Sequence, residues 1–500
     1  MKKVRPWLVV LLVIVATAAL RIHLLGTPLE RDEGEYAYAG QLMLQGIPPY
    51  KLACNMKLPG TYAAYAAVMA VFGQTIAAIH TGLLLVNAGA IVLIYLLGKR
   101  LFSVGAGLAA CAAYALLSVS PGVLGTQAHA THFVVLAAMA GLWLLLRFED
   151  TGRWWTLFAS GVLFGVAFLM KQHGILFGVF AAGYLVSVGK WRKLPLFLAG
   201  AAAPFALTSL ALWWAGVFGR FWFWTFTYAS RYVAENSLRD GAAALAASFG
   251  PILRESGPLG ALAAIGLWLA VRGRRLLVPV LLLFSFAAVC AGLYFRAHYF
   301  VLMLPAVALL AGSFVRGRVS AAIFAGALGL SLFLQSDILF RMSPVDVSRE
   351  LYGMEPFPEA IKVADYIRSH TQPQDLIAVL GSEPEIYFYA HRHSATSYLY
   401  AEPLVEPQPF ALQMQDDMIA ELERNAPAYV VRFPIVETLS LGAESPPRIY
   451  GWWSDYGPKH YRLVGIAEIM DDGSSEYRWD RAAETYQPHS LYHLAVYRRN

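Results

Sequence analysis

Charged residues are scarce in this 500-residue chain. Asp, Glu, Lys and Arg together make up 14% of it, whereas hydrophobic residues make up 58%. Soluble globular domains carry roughly 25% charged residues, so this shortage argues against an ordinary soluble enzyme. The composition instead indicates a polytopic membrane protein, for which a lipid bilayer is the expected solvent.

Cysteine is rare as well. Cys111 and Cys290 lie inside apolar runs and Cys54 stands alone in a loop, so neither a disulfide framework nor a thiolate metal site is indicated. The formal net charge is +6, but the basic residues form short clusters between apolar runs, as membrane topology requires. This distribution argues against nucleic acid as a partner.

Long apolar runs are abundant. A helix needs about 20 residues to cross the hydrocarbon core, and about 11 transmembrane helices are predicted, centred near residues 16, 85, 112, 138, 164, 182, 204, 264, 285, 305 and 328. Basic clusters follow every second span, which predicts that those connections are cytoplasmic. The first span contains Ala16-Thr17-Ala18, which resembles a signal-peptidase site, but we expect the span to be retained.

This topology places residues 26–74, a loop at about 215–256 and everything after about 340 on the extracytoplasmic face. Residues 1–340 are therefore predicted to form a membrane domain whose first external loop is 26–74. The aromatic stretch that begins at Arg220 favours an interfacial helix over direct substrate contact, although both interpretations stay open.

From about residue 341 to residue 500 the composition is that of a soluble α/β domain. A strand ending at Gly381, a short helix from Pro384 and a following strand are predicted, and three later runs, "AYVVRF", "YRLVGIAEI" and "LAVYRR", supply further strands. The turn 381–385 lacks a nucleotide-binding glycine pattern, so a structural or acceptor-recruiting role is favoured. His391 and His393 are interpreted as surface residues.

An acidic stretch, "RDEGEYAYAG" at residues 31–40, follows the first span. On a helix Asp32, Glu35 and Tyr36 share one face, whereas Glu33 points about 100° away. One interpretation is structural, with Asp32 as the N-cap and Glu35 as its partner in a capping box. The other is catalytic, because a carboxylate at a membrane surface can act as a base.

Further motifs favour the catalytic interpretation. They are Asp32-Glu33-Gly34-x-Tyr36-Ala37, Gly46-x-Pro48-Pro49-Tyr50, Lys57-x-Pro59, Phe72-Gly73, Lys99-Arg100-Leu101-Phe102, Lys171 between two spans, and His298-Tyr299 with Pro305 downstream. As a set, these motifs resemble the integral-membrane glycosyltransferases of the GT-C fold, in the family of protein O-mannosyltransferases and bacterial lipid A aminoarabinose transferases. The resemblance covers roughly residues 5–335 and leaves the external domain uncovered.

The resemblance implies transfer of a sugar, with inversion, from a polyprenyl-phosphate donor to an acceptor hydroxyl on the extracytoplasmic face of a bacterial inner membrane. It implies Asp32 as the general base and Glu33 as the acid that orients the acceptor. The donor phosphate is expected to meet Lys57, Lys171, Arg296 and Tyr299. Further substrate contacts are expected from Glu35, Tyr36, His129, His132 and His298.

The chain departs from these relatives in the second external loop. Where many of them carry an acid, it has "GTQAHATHF", which offers Gln127, His129 and His132. The two histidines could bind a divalent metal with Asp32, contact donor or acceptor, or be structural. The sequence therefore establishes no cofactor, and a divalent metal stays open.

Two other functional classes compete with the enzyme. A transporter or flippase for a lipid-linked sugar would place ionisable residues in mid-span, with detectable repeat symmetry, whereas here these residues collect at one external surface. A non-catalytic scaffold would leave the acidic and lysine motifs without a reason. The expected partners are a polyprenyl-phosphate-linked sugar, membrane lipids, and an acceptor that is a lipid, a protein or a glycan.

Overall fold

A computed structural model describes residues 5–434 and 446–500 of the chain. The first two thirds are helical, and the remainder adds a small sheet. The helices in the first part are α1 (Pro6–Ile22), α2 (Arg31–Leu44), α3 (Gly60–Phe72), α4 (Ile76–Leu101), α5 (Val104–Leu117), α6 (Ala130–Thr151), α7 (Trp154–Met170), α8 (Ile175–Ser187), α9 (Leu194–Trp214), α10 (Phe218–Trp222), α11 (Ala229–Val233), α12 (Leu238–Arg272), α13 (Leu277–Cys290), α14 (Leu304–Ser313), α15 (Arg318–Phe333) and α16 (Ser336–Phe340). A π-helix at Phe223–Tyr228 joins α10 to α11, and a 3-10 helix at Ala297–Met303 leads into α14.

All eleven predicted span centres fall inside these helices or at their ends. Three described segments are long and apolar enough to cross a bilayer by length and composition: α4, α6 and Trp191–Trp214. The other apolar helices have 10–17 residues. Helix α12, which contains the predicted span centre at 264, has 35 residues but is not among these three, so the number of spans stays a prediction. Large apolar side chains such as Leu12, Trp213 and Phe333 are exposed on the outside of the bundle, as expected of a surface that faces lipid.

Small residues allow the helices to pack closely. A Cβ atom on Gly161 would lie 2.2 Å from the carbonyl oxygen of Phe197, and one on Gly165 would lie 2.3 Å from that of Ala201. Helices in a bilayer gain little from the hydrophobic effect, so such close backbone approach is a main source of their association. It fixes α7 against α9 and thereby the turn at Lys171 that follows α7.

The last part of the chain is an α/β domain. Its helices are α17 (Pro344–Tyr352), α18 (Phe357–Ser369), α19 (Glu385–Ala390), α20 (Glu402–Val405), α21 (Ala411–Asn425), α22 (Arg448–His460) and α23 (Arg481–Glu484). Its strands are β1 (Ile377–Leu380), β2 (Tyr429–Arg432), β3 (Tyr461–Ile469), β4 (Ser475–Trp479) and β5 (His493–Arg499), in the sheet order β1-β2-β5-β3-β4. β1 and β2 are parallel, and the other neighbours are antiparallel.

Four of these strands match the predicted ones, and β4 was not predicted. The strand expected after α19 is wrong, because residues 394–400 make only isolated bridges, one of them between Tyr398 and Cys54. The backbone of this segment is bonded elsewhere: Ser394 N–H donates to the hydroxyl of Tyr38 (2.7 Å), and Ser397 N–H donates to Glu421 (2.8 Å). The segment therefore joins the domain to the first external loop.

The C-terminal domain packs directly on α2. The rings of Tyr38 and Tyr387 stack with centroids 5.1 Å apart, and the hydroxyl of Tyr389 accepts from the N–H of Leu29 (2.9 Å). Helix α19 approaches α2 so closely that a Cβ atom on Gly34 would lie 2.6 Å from the Cβ of Glu385. The helix that carries the acidic stretch is thus held between the membrane bundle and this domain.

Candidate active site

Helix α2 begins two residues earlier than a cap at Asp32 requires. Its N-cap is Glu30, whose carboxylate accepts from the N–H of Glu33 (2.9 Å), while the Glu33 carboxylate accepts from the N–H of Glu30 (3.4 Å). The capping box predicted for Asp32 and Glu35 is therefore wrong. Both of those side chains remain available for other contacts.

Asp32, Glu35 and Lys57 form a charged cluster on one face of α2. The ammonium nitrogen of Lys57 lies 2.5 Å from Oδ1 of Asp32 and 2.6 Å from Oε2 of Glu35. Two carboxylates therefore share one cation, which also lies 4.8 Å from the ring centroid of Tyr36. Burial alone would raise the pKa of Asp32, but the ammonium of Lys57, with a smaller contribution from Lys171, holds it well below its usual range. Asp32 is consequently ionised at neutral pH.

Glu35 is the buried member of this cluster. Its side chain is 1% exposed, compared with 22% for Asp32. Besides Lys57, it accepts hydrogen bonds from Asn55 (2.7 Å), Tyr62 and Tyr400 (2.7 Å). These four donors satisfy the carboxylate, so Glu35 acts as an anchor for Lys57 rather than as a free substrate contact.

Glu33 points away from Asp32, as the helical geometry predicts. Its side chain is fully buried, and Oε1 accepts from the N–H of Ala128 (2.6 Å) and lies 3.1 Å from Nε2 of His80. The predicted role of Glu33 in orienting the acceptor finds no support, because this carboxylate does not line the cavity described next. It instead ties α2 to the loop that carries His129.

A cavity of about 540 Å³ opens over Asp32 between the bundle and the C-terminal domain. The predicted site residues that line it are Asp32, Tyr36, Lys57, His129, Lys171, Arg296, His298 and Tyr299. Glu35 and His132 do not line it. The imidazole of His132 is fully buried within α6 instead, and both of its nitrogens lack a hydrogen-bond partner.

Cationic side chains surround one part of this cavity. The ammonium of Lys171 lies 3.4 Å from Nε2 of His298 and 4.3 Å from the ring centroid of Tyr299. Arg296 donates to the hydroxyl of Tyr232 (3.3 Å). Burial lowers the pKa of Lys171 to about 7, although the charge of Asp32 opposes this effect. With Lys57, these residues form a positively charged region beside Asp32.

Asp32, His129 and His298 could hold a metal ion. One ligand atom from each lies within 4.8 Å of the others, and the two imidazoles stack with centroids 4.1 Å apart. Both nitrogens of His129 are buried without a hydrogen-bond partner, and burial lowers its pKa to about 4, so the ring is neutral. Two imidazoles and a carboxylate suit Zn²⁺ or a similar divalent ion. The predicted partner of His129 changes from His132 to His298.

Several cavity residues were not predicted. They are Glu30, Tyr228, Tyr232, Tyr352, Tyr400, Glu402 and Glu406. Tyr228 and Tyr232 belong to the aromatic segment for which interfacial placement was favoured. Tyr400, Glu402 and Glu406 come from the C-terminal domain, where no local motif marks them. Only long-range contacts, such as that between Tyr400 and Glu35, reveal their place in the site.

Part of the chain matches a known protein family. Residues 57–214, about a third of the chain, match the family described as dolichyl-phosphate-mannose-protein mannosyltransferase. A comparison with curated proteins gives no match.

Solved structures share the fold at low sequence identity. ArnT from Cupriavidus metallidurans bound to undecaprenyl phosphate matches with a TM-score of 0.65 and 16% identity, over 98% of this chain and 97% of that chain. The archaeal oligosaccharyltransferase AglB from Archaeoglobus fulgidus, in complex with an inhibitory peptide and a dolichol-phosphate, matches with a TM-score of 0.52 and 14% identity, over 95% and 74%. These findings confirm the resemblance to GT-C-fold glycosyltransferases that the sequence motifs indicate.

Proposed function

We propose that this protein is a membrane glycosyltransferase that moves a sugar from a polyprenyl-phosphate donor to an acceptor hydroxyl, with inversion. The observation that carries the proposal is the cavity in which the ionised carboxylate of Asp32 lies beside the cations Lys57, Lys171 and Arg296. This arrangement pairs a base with a phosphate-binding region, which are the two elements that such a transfer needs.

Asp32 is the proposed general base. The acceptor oxygen attacks the anomeric carbon, the bond between that carbon and the phosphate oxygen breaks, and the acceptor proton passes to the carboxylate of Asp32. The side chain suits this role because it is ionised and partly accessible from the cavity, whereas Glu33 and Glu35 are buried and fully bonded. Attack from the side opposite the leaving phosphate inverts the configuration at the anomeric carbon.

The cationic region is proposed to bind the donor phosphate. Negative charge grows on this phosphate as the sugar leaves, so cations fixed at that position stabilise the transition state more than the bound donor. Lys171 and Arg296 lie on the bundle side, and Tyr299 supports the ammonium of Lys171. Lys57 contacts Asp32 directly. If the incoming phosphate also bound the ammonium of Lys57, this ammonium would hold Asp32 less tightly, and the basicity of Asp32 would increase.

The structural relatives support a lipid-linked donor. ArnT was solved with undecaprenyl phosphate, and AglB with a dolichol-phosphate and a peptide. We infer a polyprenyl-phosphate donor for this chain and an acceptor that is a lipid, a protein or a glycan. The basic clusters between the apolar segments support an extracytoplasmic site, and the resemblance to bacterial lipid A aminoarabinose transferases supports a bacterial inner membrane.

A divalent ion is compatible with the site. Asp32, His129 and His298 would hold the ion, which would supply a Lewis acid next to the donor phosphate. The neutral imidazole of His129, whose nitrogens make no hydrogen bond, fits that role. It fits equally well a hydrogen bond to a sugar or phosphate oxygen.

The test uses the purified full-length protein and a panel of polyprenyl-phosphate sugars. Catalysis predicts release of free polyprenyl phosphate with at least one donor, measured by chromatography of the lipid fraction. The transporter or flippase alternative predicts that the donor crosses the membrane of a proteoliposome intact, without release of polyprenyl phosphate. Translocation without cleavage would refute the proposed function.

A further inference from the structure

Tyr400 belongs to the C-terminal domain, yet its hydroxyl lies inside the charged cluster of α2. It donates to Oε2 of Glu35 (2.7 Å), and the ammonium of Lys57 lies 3.4 Å from the hydroxyl oxygen. The Lys57 ammonium also lies 5.3 Å from the centroid of the Tyr400 ring. The phenol thus bridges the buried carboxylate and the cation, and its ring forms part of the cavity wall.

The segment that carries Tyr400 is fixed from two sides. The N–H of Cys54 in the first external loop donates to the carbonyl oxygen of Ser397 (2.9 Å), and the N–H of Ser397 is bonded to Glu421 of α21. Upstream, Ser394 is bonded to Tyr38 on α2. These contacts leave the phenol little freedom, so its hydroxyl can hold a neighbouring group in place.

The charges of the cluster indicate how this hydroxyl affects Lys57. Asp32 and Glu35 compete for one ammonium at nearly equal distances, 2.5 Å and 2.6 Å. Neutral groups that donate hydrogen bonds to Glu35 weaken the attraction between its carboxylate and Lys57, because they occupy lone pairs that the ammonium would otherwise contact. Asn55 and Tyr62 come from the same half of the chain as Lys57, whereas Tyr400 is contributed by the C-terminal domain.

We infer that Tyr400 is a positioning residue, through which the docked C-terminal domain sets the geometry of Glu35 and Lys57 relative to Asp32. The inference rests on the proposed function for its effect on turnover. It makes the C-terminal domain part of the active site, not an appendage that only recruits the acceptor. Tyr400 acts through Glu35, so its contribution must disappear when Glu35 can no longer hold the ammonium.

The kinetic test is a double-mutant cycle in the full-length protein. A hydrogen bond to a charged group contributes about 1.5–3 kcal/mol, and about 1.4 kcal/mol corresponds to a tenfold change in rate. We therefore expect Tyr400→Phe to lower kcat about tenfold and to change the KM for the donor less than about threefold. In a Glu35→Met background, which removes the acceptor oxygens, the same change should cause no further loss. Tyr398→Phe is the matched control: its hydroxyl bonds to Asp417 (3.4 Å), away from α2, and its loss should leave kcat unchanged.

Two outcomes would overturn the inference. One is a wild-type kcat in Tyr400→Phe, and the other is a tenfold loss that persists undiminished in the Glu35→Met background, since that would show a merely structural effect.

Amide hydrogen exchange of residues 31–40 separates this inference from the proposed function, because it needs no turnover. We expect exchange to rise about tenfold in Tyr400→Phe and to stay unchanged in Tyr398→Phe. If the wild type releases no polyprenyl phosphate, the proposed function fails, while this exchange pattern still supports the positioning role. Equal exchange in the wild type and both variants would overturn it.

Discussion

Gly34 provides a test of the contact between α2 and the C-terminal domain. It is the fourth residue of α2, and an added Cβ atom would lie 2.6 Å from Cβ, 2.7 Å from N and 2.9 Å from Cα of Glu385. Non-bonded carbon atoms pack at about 3.5–4.0 Å, so Gly34→Ala requires α19 to move by about 1 Å. Two of the three clashing atoms are backbone atoms, and side-chain rotation cannot relieve them.

Two effects of opposite sign compete in this variant. Alanine is favoured over glycine inside a helix by roughly 1 kcal/mol, whereas overpacking of a tight interface costs about 1–3 kcal/mol. Since the backbone of Glu385 must move, we expect the clash to dominate. Gly34→Ala should therefore lower the free energy of unfolding by about 1–2 kcal/mol. Turnover should also fall, because Asp32 and Glu35 flank Gly34.

Gly451 is a matched control for this change. It is likewise the fourth residue of its helix, α22, and a Cβ atom there would meet nothing within 4 Å. Gly451→Ala should gain up to about 1 kcal/mol from helix propensity alone. Thermal unfolding in detergent, followed by circular dichroism, compares the two variants. A Gly34→Ala protein that is stabilised as much as Gly451→Ala, with normal turnover, would refute the close docking of the domain on α2.

Three further predictions concern charge. Burial raises the pKa of Glu383 to about 8. The contribution of Glu383 to the free energy of unfolding should therefore be greatest below its unfolded pKa of about 4.5, and should fall as pH rises towards 8 by at most about 1.4 kcal/mol per pH unit. In denaturant titrations from pH 5 to 8, the free energy of unfolding should depend less on pH for Glu383→Gln than for the wild type, and an equally steep dependence would contradict the assignment. Lys171→Met should lower kcat/KM for the donor about tenfold or more, unlike Lys190→Met outside the cavity, and equal kcat/KM values would remove Lys171 from the phosphate site. Zn²⁺ or Mn²⁺ should bind at one ion per chain, as measured by calorimetry and metal analysis. His298→Ala should weaken this binding at least about tenfold, and unchanged binding would remove His298 as a ligand.

Local motifs allowed part of this site to be predicted from the sequence. Asp32, Tyr36 and Lys57 lie within 26 residues of one another, and helical periodicity correctly places Asp32 and Glu35 on one face. Lys171 and His298 were identified by the resemblance alone, and both line the cavity.

Long-range contacts explain what could not be predicted. Tyr400 is 365 residues from Glu35, and no periodicity marks a lone tyrosine as a hydrogen-bond donor to a distant carboxylate. The cap was misassigned because Asp is a preferred N-cap residue and Glu is not, whereas the helix begins at Arg31 and is capped by Glu30. The strand predicted after α19 was wrong. The segment is rich in residues that favour strands, but its backbone N–H groups donate to side chains of α2 and α21 instead of to a neighbouring strand.

The central claim is that Asp32 takes the acceptor proton, and it is tested most directly by the rate of polyprenyl phosphate release in Asp32→Asn. Asparagine keeps the size of the side chain but cannot accept that proton, and loss of a general base costs about 10²–10⁴-fold in rate. Asp365→Asn, an exposed acid paired with Arg368 on α18, is the control. The account predicts at least a hundredfold loss for Asp32→Asn and a normal rate for the control. A correctly folded Asp32→Asn protein that turns over at the wild-type rate would contradict it.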